Sequence, residues 1–328
     1  IDQGSAAASG WGIPTATDIA FAVGILSILG DRVPVSLKVF LTALAIADDL
    51  IAILVVALFY GGTINFGLLS IAFVLIALVL LMNKLGEKRG WFYLVPAIAI
   101  WSLFYYAGIH STMSGVVMAF LVPMTPRFNE AYFHRKRLQY IRRLNEYNGI
   151  ASTSSEFPNG PQRHCLRRLS AISRDSIGMS YRLEHALGPW VNFLIMPIFA
   201  LANAGVEIPD VSYFNVFQFD QVLGSVSMGI FLGLVLGKPL GISLASFIAV
   251  KLHVGEMPAK STWPMLIAVA CLGGIGFTMS IFVDTLSFGD QTPEVMARLR
   301  DMGKVAVLMG SLCAGILGSV LINIIHGI

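Results

Sequence analysis

Two adjacent carboxylates, Asp48 and Asp49, stand at the centre of the apolar stretch 35–60. A stretch of that length can cross a hydrocarbon layer, which takes about 20 residues. Lys238 lies within a second long apolar stretch, 221–250, and Asp18 within a third near the start of the chain. Each such charge costs roughly 2.5 to 3.5 kcal/mol at the centre of a span, so the four together oppose insertion by about 10 to 14 kcal/mol. Residues this costly mark ion or proton pathways. Successive helical residues point about 100° apart, so Asp48 and Asp49 cannot both face one partner. One can pair with the ammonium of Lys238 while the other faces a water-filled cavity and takes a proton or a small cation. The blander alternative is an Asp/Lys pair that only locks helix packing, but it leaves the second aspartate and Asp18 without a role.

Asp18 sits in an interrupted segment, GWGIPTATDIAFAVG (10–24), where Gly12, Pro14, Thr15 and Thr17 break an otherwise apolar helix. A second such segment, CLGGIGFTMSIF (271–282), carries Gly273, Gly274, Gly276, Thr278 and Ser280. Two broken, polar-lined segments point to crossed discontinuous helices, whose free backbone groups and dipole ends create an ion site at the midplane.

The elements that must hold these residues follow from composition. Of the 328 residues, 56% are hydrophobic and 12% charged, against about 25% charged in an ordinary soluble domain. Apolar runs between charged or Gly/Pro punctuation predict nine spans, at 12–30, 35–60, 66–83, 91–106, 108–124, 189–206, 221–250, 264–286 and 302–326. The fold class expected is an all-α membrane protein, a polytopic helix bundle. Basic residues test the count, because cytoplasmic loops hold their excess. Eighteen of the 22 fall in alternate loops: Arg32 and Lys38; Lys84, Lys88 and Arg89; eleven from Arg127 to Arg182; Lys251 and Lys260. The stretches 1–11, 61–65 and 207–220 hold none, and only Arg298, Arg300 and Lys304 break the alternation. The N-terminus is therefore expected outside and the C-terminus in the cytoplasm.

Three segments result: spans with the first broken helix and the Asp-Asp stretch (1–126), a basic cytoplasmic loop insertion (127–182), and spans with Lys238 and the second broken helix (183–328). The basic loop, with HRKR at 134–137 and the polar string at 151–162, reads as partly disordered in the middle and suited to anionic lipid or topology. It is not read as a nucleic-acid surface. Cys165, Cys271 and Cys313 follow no metal-ligand or disulfide spacing.

The strings GWGIPTATDIAFAVGILSILGDRVP (10–34), LKVFLTALAIADDLIAI (37–53), GKPLGI (237–242) and GIGFTMSIF (274–282) resemble the NhaA family of sodium/proton antiporters. Similar stretches recur at 107–116, 182–191 and 197–206, so the likeness covers nearly the whole chain outside the basic loop. That family is itself a standing example of inverted repeats and broken helices, and the resemblance implies both here. It also implies that Asp48 and Asp49 are the paired carboxylates of cation and proton exchange and that Lys238 partners one of them. Asp18 and Thr17 would sit at the helix crossing, completing a cation- and proton-binding group of Asp48, Asp49, Asp18 and Thr17. Glu184, His185 and His110 match positions linked to pH response. Three earlier helices would precede the match, making Ile1 a fragment boundary and the inverted repeat incomplete. Three features depart from the pattern: the long basic loop, Gly188 in place of a frequent histidine, and Asp284 near the end of a span.

The implied function is secondary transport, not enzymatic catalysis: sodium or lithium ions leave the cell in exchange for external protons, with pH regulation and net charge movement. No cofactor is expected beyond the transported Na+, Li+ and H+. Expected partners are those ions and the lipid bilayer of a bacterial inner membrane, with a homodimer left open. Desolvation favours a protonated carboxyl while Lys238 or a bound cation favours an ionised one, so occupancy should follow pH. A proton-coupled solute symporter is the alternative, but no arginine- or aromatic-lined set suits an organic substrate. An intramembrane aspartyl protease built on Asp18 and Asp49 would lack a GxGD-like sequence.

Overall fold

A computed structural model describes residues 6–59, 64–87, 89–126, 128–150, 158–203, 205, 222–288 and 293–327. Lys88, Arg127, the string at 151–157 and the base-free stretch at 207–220 lie outside them. All regular structure among the described residues is helical. Among the described residues, six helices are long and apolar enough to cross a membrane: 10–28, 35–57, 66–84, 179–203, 226–251 and 296–327. The pair Trp263–Leu272 and Phe277–Ser287 is long and apolar enough only taken together, and it is bent by 51° at its break. Trp91–Tyr106 and Thr112–Leu121 are apolar but shorter. Each of the nine apolar segments expected thus contains helix among the described residues, and in two of them the helix is shorter than 18 residues. The protein is a multi-pass helical membrane protein with a broken helix pair.

The chain divides into two compact units, residues 1–61 with 194–328, and residues 62–193. In the larger unit a 3-10 segment, Ala6–Thr15, leads through an extended break to α1 (Ile19–Ile28), followed by α2 (Val35–Phe59). In the 62–193 unit, α3 (Phe66–Lys84), α4 (Trp91–Tyr106) and α5 (Thr112–Leu121) pack together. Their core is Ala72, Val79, Tyr93, Ile100, Phe104, Met118 and Leu121. The side chain of Asn65 caps α3 by accepting from Gly67 N at 3.0 Å, and Asn83 Nδ2 donates to the Leu121 carbonyl at 2.9 Å. The buried Tyr93 sends its hydroxyl to Glu87 O at 2.8 Å.

The basic segment is largely structured: α6 (Glu130–Ile150) and α7 (Gly160–Asp175) pack side by side. A reciprocal capping box between Asn159 and Gln162 starts α7, and Cys165 and Ile172 form its buried stripe. Composition read this stretch as a loop because its outer faces are charged; an amphipathic pair needs only a narrow apolar seam. Gly178, entering α8 (Met179–Trp190), is obligatory on steric grounds, since a Cβ there would meet Met124 O at 2.2 Å.

A π-turn at Val191–Ile195 joins α8 to α9 (Met196–Asn203). The larger unit resumes with α10 (Val222–Leu232), a second π-turn at Gly233–Gly237, and α11 (Lys238–Lys251). It closes with α12 (Trp263–Leu272), α13 (Phe277–Ser287) and the 35-residue α14 (Pro293–Gly327). Helix α14 packs against α10, α12 and α13. One apolar core joins Ala22, Leu26, Leu37, Leu41, Leu266 and Leu272, and another joins Ile13, Ile230, Leu234, Ile281 and Leu299. Outward faces are also apolar: Phe73, Val74, Phe193, Leu201 and Leu240 are exposed. Such faces match lipid and would be a liability in water.

Candidate functional site

The break between the 3-10 segment and α1 is where the chemistry gathers. Helix α1 begins at an aspartate cap: Asp18 Oδ1 accepts from Phe21 N at 3.1 Å. The same carboxylate accepts from Thr278 N at 3.0 Å and from the Thr278 hydroxyl. Asp18 thereby serves the first turns of α1 and α13 at once, placing negative charge at two helix N-termini where unpaired N–H groups and the helix dipoles favour it. It is completely buried. Its own backbone N–H donates to the Ile275 carbonyl at 2.7 Å, so the two breaks touch directly.

Glycines make that approach possible. A Cβ at Gly274 would lie 2.2 Å from the Leu234 carbonyl, and one at Gly276 would lie 3.1 Å from Ala16 O. A Cβ at Gly233, in the π-turn, would lie 2.9 Å from Pro14 Cβ. Ser311 of α14 completes the crossing by accepting from Gly276 N at 3.2 Å and Phe277 N at 3.1 Å, which its two lone pairs allow.

One residue before Asp18, Thr17 turns the other way. Its hydroxyl donates to Asp48 Oδ2 at 2.7 Å, with the Gly273 carbonyl 3.2 Å away as a second acceptor. The Lys238 ammonium donates to the Thr17 hydroxyl oxygen and stands 3.3 Å from Asp48 Oδ2. Lys238 follows the π-turn directly; such turns are common at functional sites because they re-aim side chains. Of the two aspartates, Asp48 therefore takes the lysine. Asp49 points elsewhere, its Oδ1 buried and, among the described residues, without a hydrogen-bond partner, while Lys238, Asp18 and Asp48 lie within electrostatic reach of it.

The structure thus brings together Thr17, Asp18, Asp48, Asp49 and Lys238. The remaining three residues singled out from sequence lie in the 62–193 unit. Glu184 is exposed on α8. His185 packs its ring against Tyr181, centroids 4.1 Å apart, beside a cavity of about 500 Å³ lined by Gly90, Met179 and Arg182. His110 is half-buried in the turn between α4 and α5, its carbonyl accepting from Met113 N at 3.0 Å. Sequence reasoning did not find Thr278 as the partner of Asp18, or Ser311 at all. A serine in an apolar helix is a signal, but nothing local names its partner.

Fold and site together define a class: a multi-pass helical membrane protein whose broken helices meet beside ionisable residues in its spans, the architecture of secondary transporters. The model of the Na+/H+ antiporter 1 family matches residues 1–322, and the chain belongs to that family. Among its relatives, the Na(+)/H(+) antiporter NhaA of Syntrophobacter fumaroxidans is 40% identical over 313 residues, covering 95% of this chain and 64% of that protein. The protein of the same name from Oleidesulfovibrio alaskensis is 39% identical over 325 residues, covering 99% of this chain and 69% of its own length. The Shigella dysenteriae NhaA is 37% identical over 309 residues, covering 94% and 65%. The chain spans about two thirds of the length of these curated relatives.

Proposed function

We propose that the protein works as a sodium/proton antiporter in which Asp48 and Asp49 carry the exchange. The observation that carries this reading is the asymmetry of the pair: Asp48 is held by Lys238 and Thr17, while Asp49 keeps a buried oxygen with no partner among the described residues. A buried acceptor without a donor suits a proton or a small hard cation bound through oxygen. Thr17 orients Asp48 and adds a hydroxyl oxygen to the site. Asp18 balances the dipoles of α1 and α13, so that the carboxylates carrying the exchange are not drawn into capping.

Protons and one monovalent cation, Na+ or Li+, compete for the site, and alternating access exposes it to one side at a time. If two protons return for each cation that leaves, net charge crosses and the membrane potential drives the cycle. The touching breaks at 16–18 and 273–276 support a reading as crossed discontinuous helices within an inverted repeat. Glu184, His185 and His110 are assigned to pH response by family likeness. The membrane is the bacterial inner membrane, with the first described residues outside and α14 ending in the cytoplasm.

Sodium-driven proton flux in everted vesicles, followed with a pH-sensitive dye, tests this on the full-length protein. The expected outcome is a sodium response that Asp49→Asn abolishes at normal expression. Full sodium-dependent flux in that variant would overturn the reading.

A further inference from the structure

Asp284 takes part in none of these steps. It lies on α13 two turns, about 10 Å along the axis, beyond the break. It is completely buried, and among the described residues neither of its carboxylate oxygens has a hydrogen-bond partner. On α13 itself, Thr285 sends its hydroxyl to Phe282 O and Ser287 to Val283 O, and the buried Ser280 hydroxyl, one turn before Asp284, makes no hydrogen bond to it among the described residues. The carboxyl fills the space left by a missing side chain on α14, since a Cβ at Gly303 would fall 2.0 Å from Asp284 Oδ1.

The charged groups facing it come from α14: Lys304, Arg300 and Asp301 lie within electrostatic reach. Among the described residues neither base makes an ion pair with it. Lys304 Nζ donates to the Gly205 carbonyl at 3.0 Å, and Arg300 Nε is buried without a partner. The other elements packed against α13 are the 3-10 segment, α9 and α2. The first two carry no ionisable side chain, and α2 carries Lys38, Asp48 and Asp49. Lys38 is bound to the Gly30 carbonyl and Asp48 to Thr17 and Lys238.

An ionised carboxylate with no donor costs far more to bury than a neutral carboxyl. An arginine nitrogen buried without an acceptor is costly in the same way, and one movement would satisfy both. We propose that Asp284 is a second proton-binding site, separate from the Asp48–Lys238 cluster. It holds a proton in the arrangement seen and, on releasing that proton to water, draws Arg300 or Lys304 of α14 into an ion pair. Thr278, which holds Asp18, lies in the first turn of the same helix. A change of contact between α13 and α14 therefore has a path to the crossing. That coupling rests on the antiport reading; the proton site itself does not.

The test is the carboxyl region of infrared difference spectra of the full-length protein in lipid vesicles, with isotopically labelled aspartate, from about pH 5 to about pH 8. The wild type is compared with Asp284→Asn and Gly303→Ala. The expected result is a protonated-carboxyl band that shifts with the label, declines as pH rises and is missing in Asp284→Asn. Gly303→Ala, whose methyl displaces the carboxyl but keeps it, should move the midpoint of that decline by about one pH unit, and it preserves the test if the asparagine variant does not fold. Spectra of Asp284→Asn that superimpose on the wild type, or a band lost in that variant but constant with pH, would overturn the proposal. A band that titrates in a protein with no sodium response would count against antiport and leave Asp284 as a proton site.

Discussion

In the 62–193 unit the buried side chains are apolar with few exceptions, and the exceptions are local. Ser114 returns its hydroxyl to Ser111 O, three residues back, and Gln162 belongs to the capping box of α7. In the larger unit, burial takes in Thr17, Asp18, Thr278, Ser280 and Asp284 as well as the leucines. There the partners are distant in the chain: Thr17 to Gly273, Asp18 to Thr278, Ser311 to Gly276. Both units turn apolar faces outward, so the exterior says only that lipid is the solvent. The interior distinguishes them. A buried polar network is tolerated only where its donors and acceptors are matched; the larger unit holds both the matched set and, among the described residues, the gaps, at the carboxylates of Asp49 and Asp284, the hydroxyls of Ser227, Ser243 and Ser280, and Arg300 Nε.

The largest expected effect after Asp49→Asn is at Lys238. Lys238→Ala leaves Asp48 without its countercharge; the pair is partly exposed, 11% at Lys238 and 21% at Asp48, so the cost should lie below the roughly 3 to 5 kcal/mol of a fully buried pair. Thermal unfolding in detergent should show a large loss, while Lys238→Arg keeps the charge and most of the stability. Equal stability of the alanine variant would remove the contrast between the units. Next is Gly274→Ala, where the methyl must push against the Leu234 carbonyl. Overpacking of that kind costs about 1 to 3 kcal/mol, and sodium-dependent flux should fall with it if the crossing is needed for exchange. The smallest effect has the opposite sign. Gly115, in α5 of the 62–193 unit, has nothing within 4 Å of an added Cβ. Gly115→Ala should raise stability by about 0.4 to 1 kcal/mol through a less flexible unfolded chain, with the flux per folded molecule unchanged. A loss at Gly115 as large as that at Gly274 would erase the difference between glycines that permit close approach and glycines that do not.

The basic segment shows what composition leaves out. Its charge and its polar string mark a connection between spans without showing that its flanks form α6 and α7, which pack side by side, while the middle of the string, 151–157, lies outside the described residues. Helix α5 shows a similar limit: at 10 residues it is shorter than the apolar run at 108–124 that contains it, because apolarity along a run says nothing about where the backbone turns.

The apolar runs, the interruptions at 10–18 and 271–276, and the cost of Asp18, Asp48, Asp49 and Lys238 were all determined by the sequence. Lipid offers the backbone no hydrogen bonds, so each crossing must be a continuous apolar helix or a visible exception. Three things waited for the tertiary structure: that Lys238 takes Asp48 and leaves Asp49, that Asp18 caps two helices, and that Asp284 lies unpaired against Gly303. Each depends on which faces of distant helices meet. Local periodicity fixes the face a residue occupies on its own helix, but the partner across from it is set by packing between segments as much as 260 residues apart.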